Sequence, residues 1–358
     1  MLSIVIPTRN RGLFLERLLS YYKEQDLQEP ILIADSSNPN ERTQVTRAVE
    51  AAGKHLNMDY RYYGSDIGIA EKLSDILMLV RTDLVVVGAD DDFFTLRGLR
   101  HASDFLQRHS EFSLAHGRAV TFELNPGPVY GNHLAVASYL QRSIEHPAAA
   151  ERLLDHLAHY STTWYSVHRT ADLRQNMRTV AELDMEPVSF TELLPSCLSV
   201  VQGKAKKLEV LYAVRQVHLR NERGLPDVFD WMVNPSWAAQ FSRFRRRVAE
   251  ELERHDKITL DVAQELVKQA FWSYLAQRLR HKWRVRYGRD RASGRARVKN
   301  VMAQRAPGLV KAWQLGRSFL PGEDNRMLLP SLLRPSSPYH TDFMPVYRAI
   351  GACRMETS

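Results

Sequence analysis

The chain has 358 residues, of which 44% are hydrophobic and 25% charged, so it can bury a large core in one or two domains and reads as an ordinary globular protein. Its two cysteines, Cys197 and Cys353, lack any paired spacing near histidines, which excludes a disulfide framework or a zinc cluster and makes a reducing compartment the expectation. The net charge of +8 is uneven: residues 269–319 carry thirteen Lys/Arg against Asp290 alone, so a basic arm follows a mildly acidic body.

The opening MLSIVIPTRNR enters a strand at once, over 3–6, and has no basic segment followed by a long apolar one, so no signal peptide is expected. Nor does any window reach the roughly 20 apolar residues of a spanning helix. Pro7 ends the strand, and Asn10 is placed to cap a helix with the apolar stripe Leu15, Leu18, Leu19 and Tyr22. Pro30 precedes a second strand, 31–34, which runs into the turn-rich Asp35-Ser36-Ser37-Asn38-Pro39. A third, near 60–63, leads through Gly64-Ser65-Asp66-Ile67-Gly68 into a helix with Ile69, Leu73, Ile76, Leu77 and Val80 on one face.

VVVGADDDFF follows, at 85–94. A short β-branched run suits a strand covered on both faces, and it delivers Asp90, Asp91 and Asp92 to the point where the strand leaves the core. A lone Asp there would read as a helix cap. Three adjacent carboxylates repel one another, and burial raises their pKa values unless a cation is near. Held between a buried strand and two phenylalanines, they point to a hard-cation site with oxygen ligands. Strands alternating with helices imply βαβ units and a largely parallel sheet. Ligands of such sheets bind beyond the carboxyl ends of the strands. The loops at 8–10, 35–38, 65–68 and 90–92 should therefore gather at one edge.

Further along, 113–123 is extended, 125–128 is a Pro/Gly loop, 161–167 (STTWYSV) is strand-like and 208–219 partly so. Beyond residue 221 the pattern turns helical, with stripes at Trp237, Phe241, Phe244, Val248 and Leu252 and at Val262, Leu266, Ala270 and Tyr274. The composition places a boundary near 225, between an α/β domain, 1–225, and a basic helical region, 226–358.

Four of these loops resemble family 2 glycosyltransferases of the GT-A nucleotide-sugar-binding fold, especially their less characterised bacterial branch. SIVIPTRNR looks like that family's opening strand and helix, and IADSSN like its second strand. GSDIGIAEKLS is similar to the loop usually written Asn-x-Gly-x-x-x-Ala-Arg-Asn, and VVVGADDDFF to the DxD strand. The likeness covers about the first 220 residues and thins after 100. It implies an α/β fold with a mostly parallel sheet, a helical C-terminal extension, and an inverting, metal-dependent transfer of sugar from a nucleoside-diphosphate donor. On the same likeness Asp90 or Asp91 faces ribose and diphosphate, Asp92 ligates Mn2+ or Mg2+, and Asp35 accepts a hydrogen bond from the base. Pro7, Thr8 and Arg9 line the nucleotide, Asp66 and Gly68 belong to the donor loop, and Lys72 contacts diphosphate. A divalent cation would act there as a Lewis acid on the leaving group.

The acceptor side is read from PVSFTELLPSCLSVVQGK, 187–204, which resembles the segment where the family places Glu-Asp before a helix. Glu192 is present and Leu193 stands at the usual Asp. Glu192 is the candidate base, with Asp184 and Glu186 as alternatives, since the chemistry needs a carboxylate within reach of the acceptor hydroxyl. His218, in VRQVHLRN, is a candidate metal or diphosphate ligand. Trp164 and Tyr165 read as core aromatics or as a sugar-stacking wall.

In the arm, arginines alternate with Trp272, Tyr274, Trp283 and Tyr287. Such a face suits an anionic membrane surface, and nucleic acid is the less favoured partner. The acceptor is expected to be a glycan, a lipid-linked species or a protein, and the location cytoplasmic, with the arm on the inner face of the membrane. Two rivals stand beside this reading. A nucleotidyltransferase would open with a Gly-rich phosphate loop, whereas TRNRG has one glycine. A degenerate transferase-like scaffold, with the arm carrying the function, is favoured by Leu193 and opposed by the intact Asp90–Asp92.

Overall fold

The computed structural model describes residues 1–185, 190–217, 228–287 and 323–351. Its first half follows the expected alternation. Strands β1 (Leu2–Thr8), β2 (Ile31–Asp35), β3 (Met58–Tyr62) and β4 (Leu84–Val87) run parallel in the order β3-β2-β1-β4. Helices α1 (Gly12–Glu24), α2 (Pro39–Ala52) and α3 (Ile69–Met78) connect them. β1 and β4 are buried almost throughout because both of their faces are covered, with Ser3 and Thr8 the polar positions of β1. Ile4, Ile6, Leu84 and Val86 join Leu15, Leu18, Leu19 and Tyr22 of α1 in one cluster. Val5, Val85 and Val87, pointing the other way by the two-residue period of a strand, join Leu73, Ile76 and Leu77 of α3.

Asn10 does not cap α1. It adopts a left-handed φ of 57° and ties two loops together, its N–H donating to Ser37 Oγ (2.8 Å) and its Oδ1 accepting from Asn38 N (2.9 Å). Asn tolerates this conformation better than most residues.

After β4 the chain forms β5 (Phe93–Phe94), α4 (Leu96–Arg108), β6 (Phe112–Pro126), β7 (Gly131–Tyr139) and α5 (Ala149–Ala158). It continues through β8 (Val167–Arg169), α6 (Thr170–Glu182), α7 (Phe190–Gln202) and β9 (Lys204–Gln216). These strands complete one nine-stranded sheet, β3-β2-β1-β4-β8-β6-β9-β5, with β7 on β6. β8 is antiparallel to β4 and to β6, and β5 to β9, whereas β9 runs parallel to β6. Parallel pairing thus dominates only the first half. The strand expected over 161–167 is confined to β8, because Thr163 to Ser166 make a turn closed by Ser166 N to Thr163 O at 2.9 Å.

The helices α8 (Val228–Met232), α9 (Trp237–Asp256) and α10 (Leu260–Tyr287) pack on α5 and α7. One cluster joins Leu153 and Leu157, Leu194 and Leu198, Phe244 and Val248, and Phe271. The buried side of α10 is Ala263, Val267, Ala270, Phe271, Tyr274 and Leu275, and Val262 of the expected stripe is exposed. The helix touches both α5 and α9, so its buried face is centred one residue later than a single seam would place it. Two short helices, α11 (Glu323–Arg326) and α12 (Leu329–Leu332), precede α13 (His340–Gly351). α13 returns to the first half, where Phe343, Val346 and Ile350 enter the same cluster as β1 and α1.

Candidate active site

The carboxyl ends of β1, β2 and β4 and the loop after β3 open onto one cleft of about 980 Å³. Pro7, Thr8 and Arg9 enter it from β1, Ser36 from β2, Asp66, Gly68 and Lys72 from the loop and first turn of α3, and Asp90, Asp91 and Asp92 from β4. The gathering of loops expected from the alternation is what the structure shows. Trp164, Tyr165, Glu192 and Arg215 line the cleft as well.

All three aspartates are buried, and each is held by partners from distant parts of the chain. Asp90 Oδ2 accepts from Thr8 Oγ1 at 2.8 Å and Oδ1 from Arg11 Nη1 at 2.8 Å. The same Arg11 nitrogen reaches Asp91 Oδ2 at 2.9 Å. Asp92 Oδ2 accepts from Arg215 Nε at 2.9 Å, and its Oδ1 from Gln216 N at 2.8 Å. Burial pushes Asp90 up to about 6, with Arg11 opposing and Asp91 adding to the rise. Burial also raises Asp92, against the pull of Arg215. For Arg215 burial works against the charged form, but Asp92 and the neighbouring Tyr165 and Tyr139 outweigh it, and the net shift is upward.

Arg17 supports the loop from behind. Only 1% exposed, it donates from Nη2 to Asp91 O at 3.1 Å and Gln216 Oε1 at 2.9 Å, and from Nη1 to Val129 O. Its guanidinium lies 4.9 Å from the centre of the Phe93 ring, and burial lowers its pKa to about 10. Neither Arg11, Arg17 nor Arg215 was marked by the motifs, because their partners stand 79, 74 and 123 residues away in sequence. The available signals are SIVIPTRNR, which ends on Arg11, and VRQVHLRN, in which Arg215 stands three residues before His218.

The other expected residues fall as follows. Asp35 is fully buried beneath the cleft rather than lining it, with Oδ2 accepting from Tyr60 Oη (2.8 Å) and Oδ1 from Ser37 N (2.8 Å). Lys72 is buried at the cleft floor, its Nζ donating to Ser36 Oγ at 2.7 Å and Thr8 O at 3.1 Å, so it binds the first two loops together. Gly68 is the N-cap of α3. Arg9 is exposed at the rim.

Glu192 stands in the first turn of α7 with Oε1 accepting from Tyr160 Oη at 2.6 Å. Tyr160 packs edge-on against Tyr274 of α10, ring centres 5.2 Å apart. Leu193, by contrast, is 1% exposed and belongs to the helical cluster. A helix turns about 100° per residue, so neighbours 192 and 193 face cleft and core. Asp184 is exposed in the turn after α6 and does not line the cleft, and Glu186 and His218 lie outside the described residues. Tyr165 forms a wall under Arg215, whose guanidinium carbon lies 3.8 Å from its ring centre.

A divalent cation in this site would depend on Asp92. Both of its oxygens already accept from this chain's own donors, and among the described residues no three His, Cys, Asp or Glu side chains converge on one point. The oxygens of Asp92 are thus occupied by Arg215 and Gln216, and among the described residues no preformed set of protein ligands stands ready for a resident Mn2+ or Mg2+.

No family model matches the sequence, and no curated protein matches it. Solved structures do resemble it. TarS 1–349 of S. aureus in complex with UDP-GlcNAc has a TM-score of 0.51 at 14% identity, over 80% of this chain and 75% of that one. TarS 1–349 by itself has a TM-score of 0.49 at 14% identity, over 77% and 72%. Mannosyltransferase PcManGT from Pyrobaculum calidifontis, in complex with GDP-Man and Mn2+, has a TM-score of 0.41 at 13% identity, over 87% and 82%. At such identities the likeness to the UDP-GlcNAc complex establishes architecture alone: this chain has an α/β GT-A-like fold with a helical C-terminal region.

Proposed function

We propose that this chain is a glycosyltransferase of the family 2 type, moving a sugar from a nucleoside-diphosphate donor to a hydroxyl group of a glycan, lipid-linked or protein acceptor. The observation that carries the reading is the single cleft. Four strand-end loops meet there on one side, and Glu192 faces them from α7 on the other. A protein of similar fold was solved with UDP-GlcNAc.

The nucleoside lies along Pro7, Thr8, Arg9 and Ser36, over a floor kept in shape by Asp35 and Lys72. The diphosphate lies between the start of α3, whose first N–H groups favour anions, and the Asp90–Asp92 loop. Asp66 and Gly68 edge the donor at that helix start, and Asp90 or Asp91 faces the ribose. Glu192 takes the proton of the acceptor hydroxyl as its oxygen bonds to the anomeric carbon. The bond from that carbon to the terminal phosphate oxygen breaks, and the nucleoside diphosphate leaves with the electron pair. A single base opposite the leaving group corresponds to inversion. The Mn2+ or Mg2+ implied by the sequence resemblance would add Lewis acidity at the diphosphate. It has no prepared ligand set here, and no step above is routed through it.

Leu193 no longer favours a degenerate scaffold, since that position faces the core while Glu192 keeps a carboxylate in the cleft. The arm bears on the acceptor. Among the described residues no helix is long and apolar enough to cross a membrane, yet α10 exposes Trp272 (57%), Leu279 and Trp283 (64%) near Arg278 and Arg280. That face supports an anionic membrane surface as the place where a lipid-linked acceptor is met.

The test is calorimetric titration of UDP and GDP followed by a sugar-release assay with the matching nucleotide sugars. Saturable binding with release of free nucleotide supports the proposal, and failure to bind either nucleotide sinks it.

A further inference from the structure

We infer that the donor's diphosphate is met by Arg215, a cation built into the chain, and that nucleotide binding therefore does not require a divalent metal. The inference rests on the nucleotide-sugar reading.

The pairing that places Arg215 is a consequence of register. β5 and β9 are antiparallel with Phe93 opposite Val214, so the next facing positions are Asp92 and Arg215. The bond from Nε to Oδ2 and the backbone bond from Gln216 fill both oxygens of a carboxylate that is 4% exposed. For Asp92 to serve as a metal ligand, a guanidinium whose side chain is only 20% exposed would have to share or lose its counter-charge, which is unfavourable unless a new partner replaces it.

Arg215 is also fixed from the side. Its guanidinium lies 3.8 Å from the centre of the Tyr165 ring and 4.8 Å from that of Tyr139. Attraction between the cation and the ring faces holds the group where it is. The bond to Asp92 uses Nε and a further N–H of Arg215 is drawn to Tyr139, which leaves the remaining N–H groups of this cleft-lining guanidinium to meet a second anion. A planar fork of N–H donors matches two phosphate oxygens at once.

The carboxylates nearest Arg215 are those of the 90–92 loop, while Asp66 and Glu192 stand elsewhere on the cleft lining. Asp92 is paired with Arg215, and Asp90 and Asp91 share Arg11. An arriving diphosphate therefore meets three loop carboxylates offset by two guanidiniums. Lys72 at the floor and Arg9 at the rim add positive charge on the nucleotide side.

The experiment titrates UDP, GDP and the corresponding nucleosides into the full chain, with EDTA and separately with Mn2+ or Mg2+. It compares wild type, Arg215→Gln and Arg215→Lys, with circular dichroism as a control for folding. Wild type should bind one nucleoside diphosphate in EDTA within about threefold of its affinity in metal. Arg215→Gln should weaken that binding by about tenfold or more, the loss expected for a charge-assisted bond. Nucleoside affinity should stay unchanged, which a merely structural role for Arg215 would not allow. If the Gln variant is unfolded, the Lys variant, which keeps the charge and loses the fork, should show a partial loss confined to the diphosphate. Binding by wild type only in the presence of metal, or equal affinities of wild type and both variants, would overturn the inference and leave the transferase reading standing. No binding of either nucleotide under any condition would remove both.

Discussion

Glu192 and Tyr160 form the smallest unit on which the proposed transfer depends. The phenol donates to one oxygen of the carboxylate at 2.6 Å, which fixes the rotamer and leaves the other oxygen for a proton. Glu192→Gln should therefore depress kcat far more than donor affinity, because a base acts in the transition state. Tyr160→Phe should lower kcat by about 3–10-fold, the net worth of one hydrogen bond, with little change in donor Kd. Steady-state kinetics beside calorimetry would check both, and an active Gln variant would exclude Glu192 as the base.

Asp90 gives a pH signature. Its carboxyl is raised from 3.8 to about 6 in the folded chain, chiefly by burial. Below about pH 4 it is protonated in both folded and unfolded states and costs nothing. As pH rises through 6 the folded state must hold a disfavoured charge, and stability is lost. The advantage of Asp90→Asn over wild type should grow by about 2–3 kcal/mol between pH 4 and pH 7. Denaturant melts at a series of pH values would show it, and a pH-independent difference would mean the shift is absent. The triplet was legible because its three members are contiguous and follow a buried run. What neutralises them was not, since Arg11 and Arg215 become neighbours only through the crossovers of the sheet and the β5–β9 register.

Among the elements, the parallel half of the sheet was open to reading because β1, β2 and β4 are short, largely apolar runs with Pro, Gly or Asp at their ends, while β3 alternates exposed Asp59 and Arg61 with partly buried aromatics. β8 was overextended because STTWYSV combines β-branched and aromatic residues, the usual preference of strands. In the folded chain those residues make the cleft wall instead, with Tyr165 O accepting from Tyr212 Oη at 2.8 Å. α10 presents the opposite case, with Trp272, Leu279 and Trp283 exposed on it. If these residues meet lipid, the protein should sediment with vesicles containing anionic lipid and not with neutral ones. Replacing Trp272 and Trp283 by Ser should reduce the sedimented fraction, and salt near 1 M should do likewise as the Debye length falls to about 3 Å. Equal sedimentation with both vesicle types would discard the membrane surface as a partner.

At the level of the whole molecule, the α/β body and the helices after residue 228 are joined, among the described residues, in two places. α9 and α10 share a core with α5 and α7, and α13 packs beside α1, β7 and β9. Composition marked a change near 225 but could not show that the chain comes back. A helix of one dozen residues with Phe343, Val346 and Ile350 inward has no sequence feature that names its destination. Phe343→Ala should cost about 3–5 kcal/mol, as for other buried aromatics, and should weaken nucleotide binding only through loss of folded protein. Chemical denaturation and titration on the same sample separate these effects. Nucleotide affinity lost with undiminished stability would contradict the packing described.

The pairing of β5 with β9 also has a kinetic meaning. Asp92 and Arg215 are separated by 123 positions, and a contact of that range forms only after a long loop has closed. During refolding, and during synthesis from the N-terminus, three adjacent carboxylates exist for a time without the guanidinium that settles the last of them. The parallel strands can form earlier, on their own local crossovers. Competence to hold a nucleotide should then appear after most of the secondary structure, as a separate slow phase. A fluorescent nucleotide followed in a stopped-flow refolding experiment should lag the far-ultraviolet circular dichroism signal.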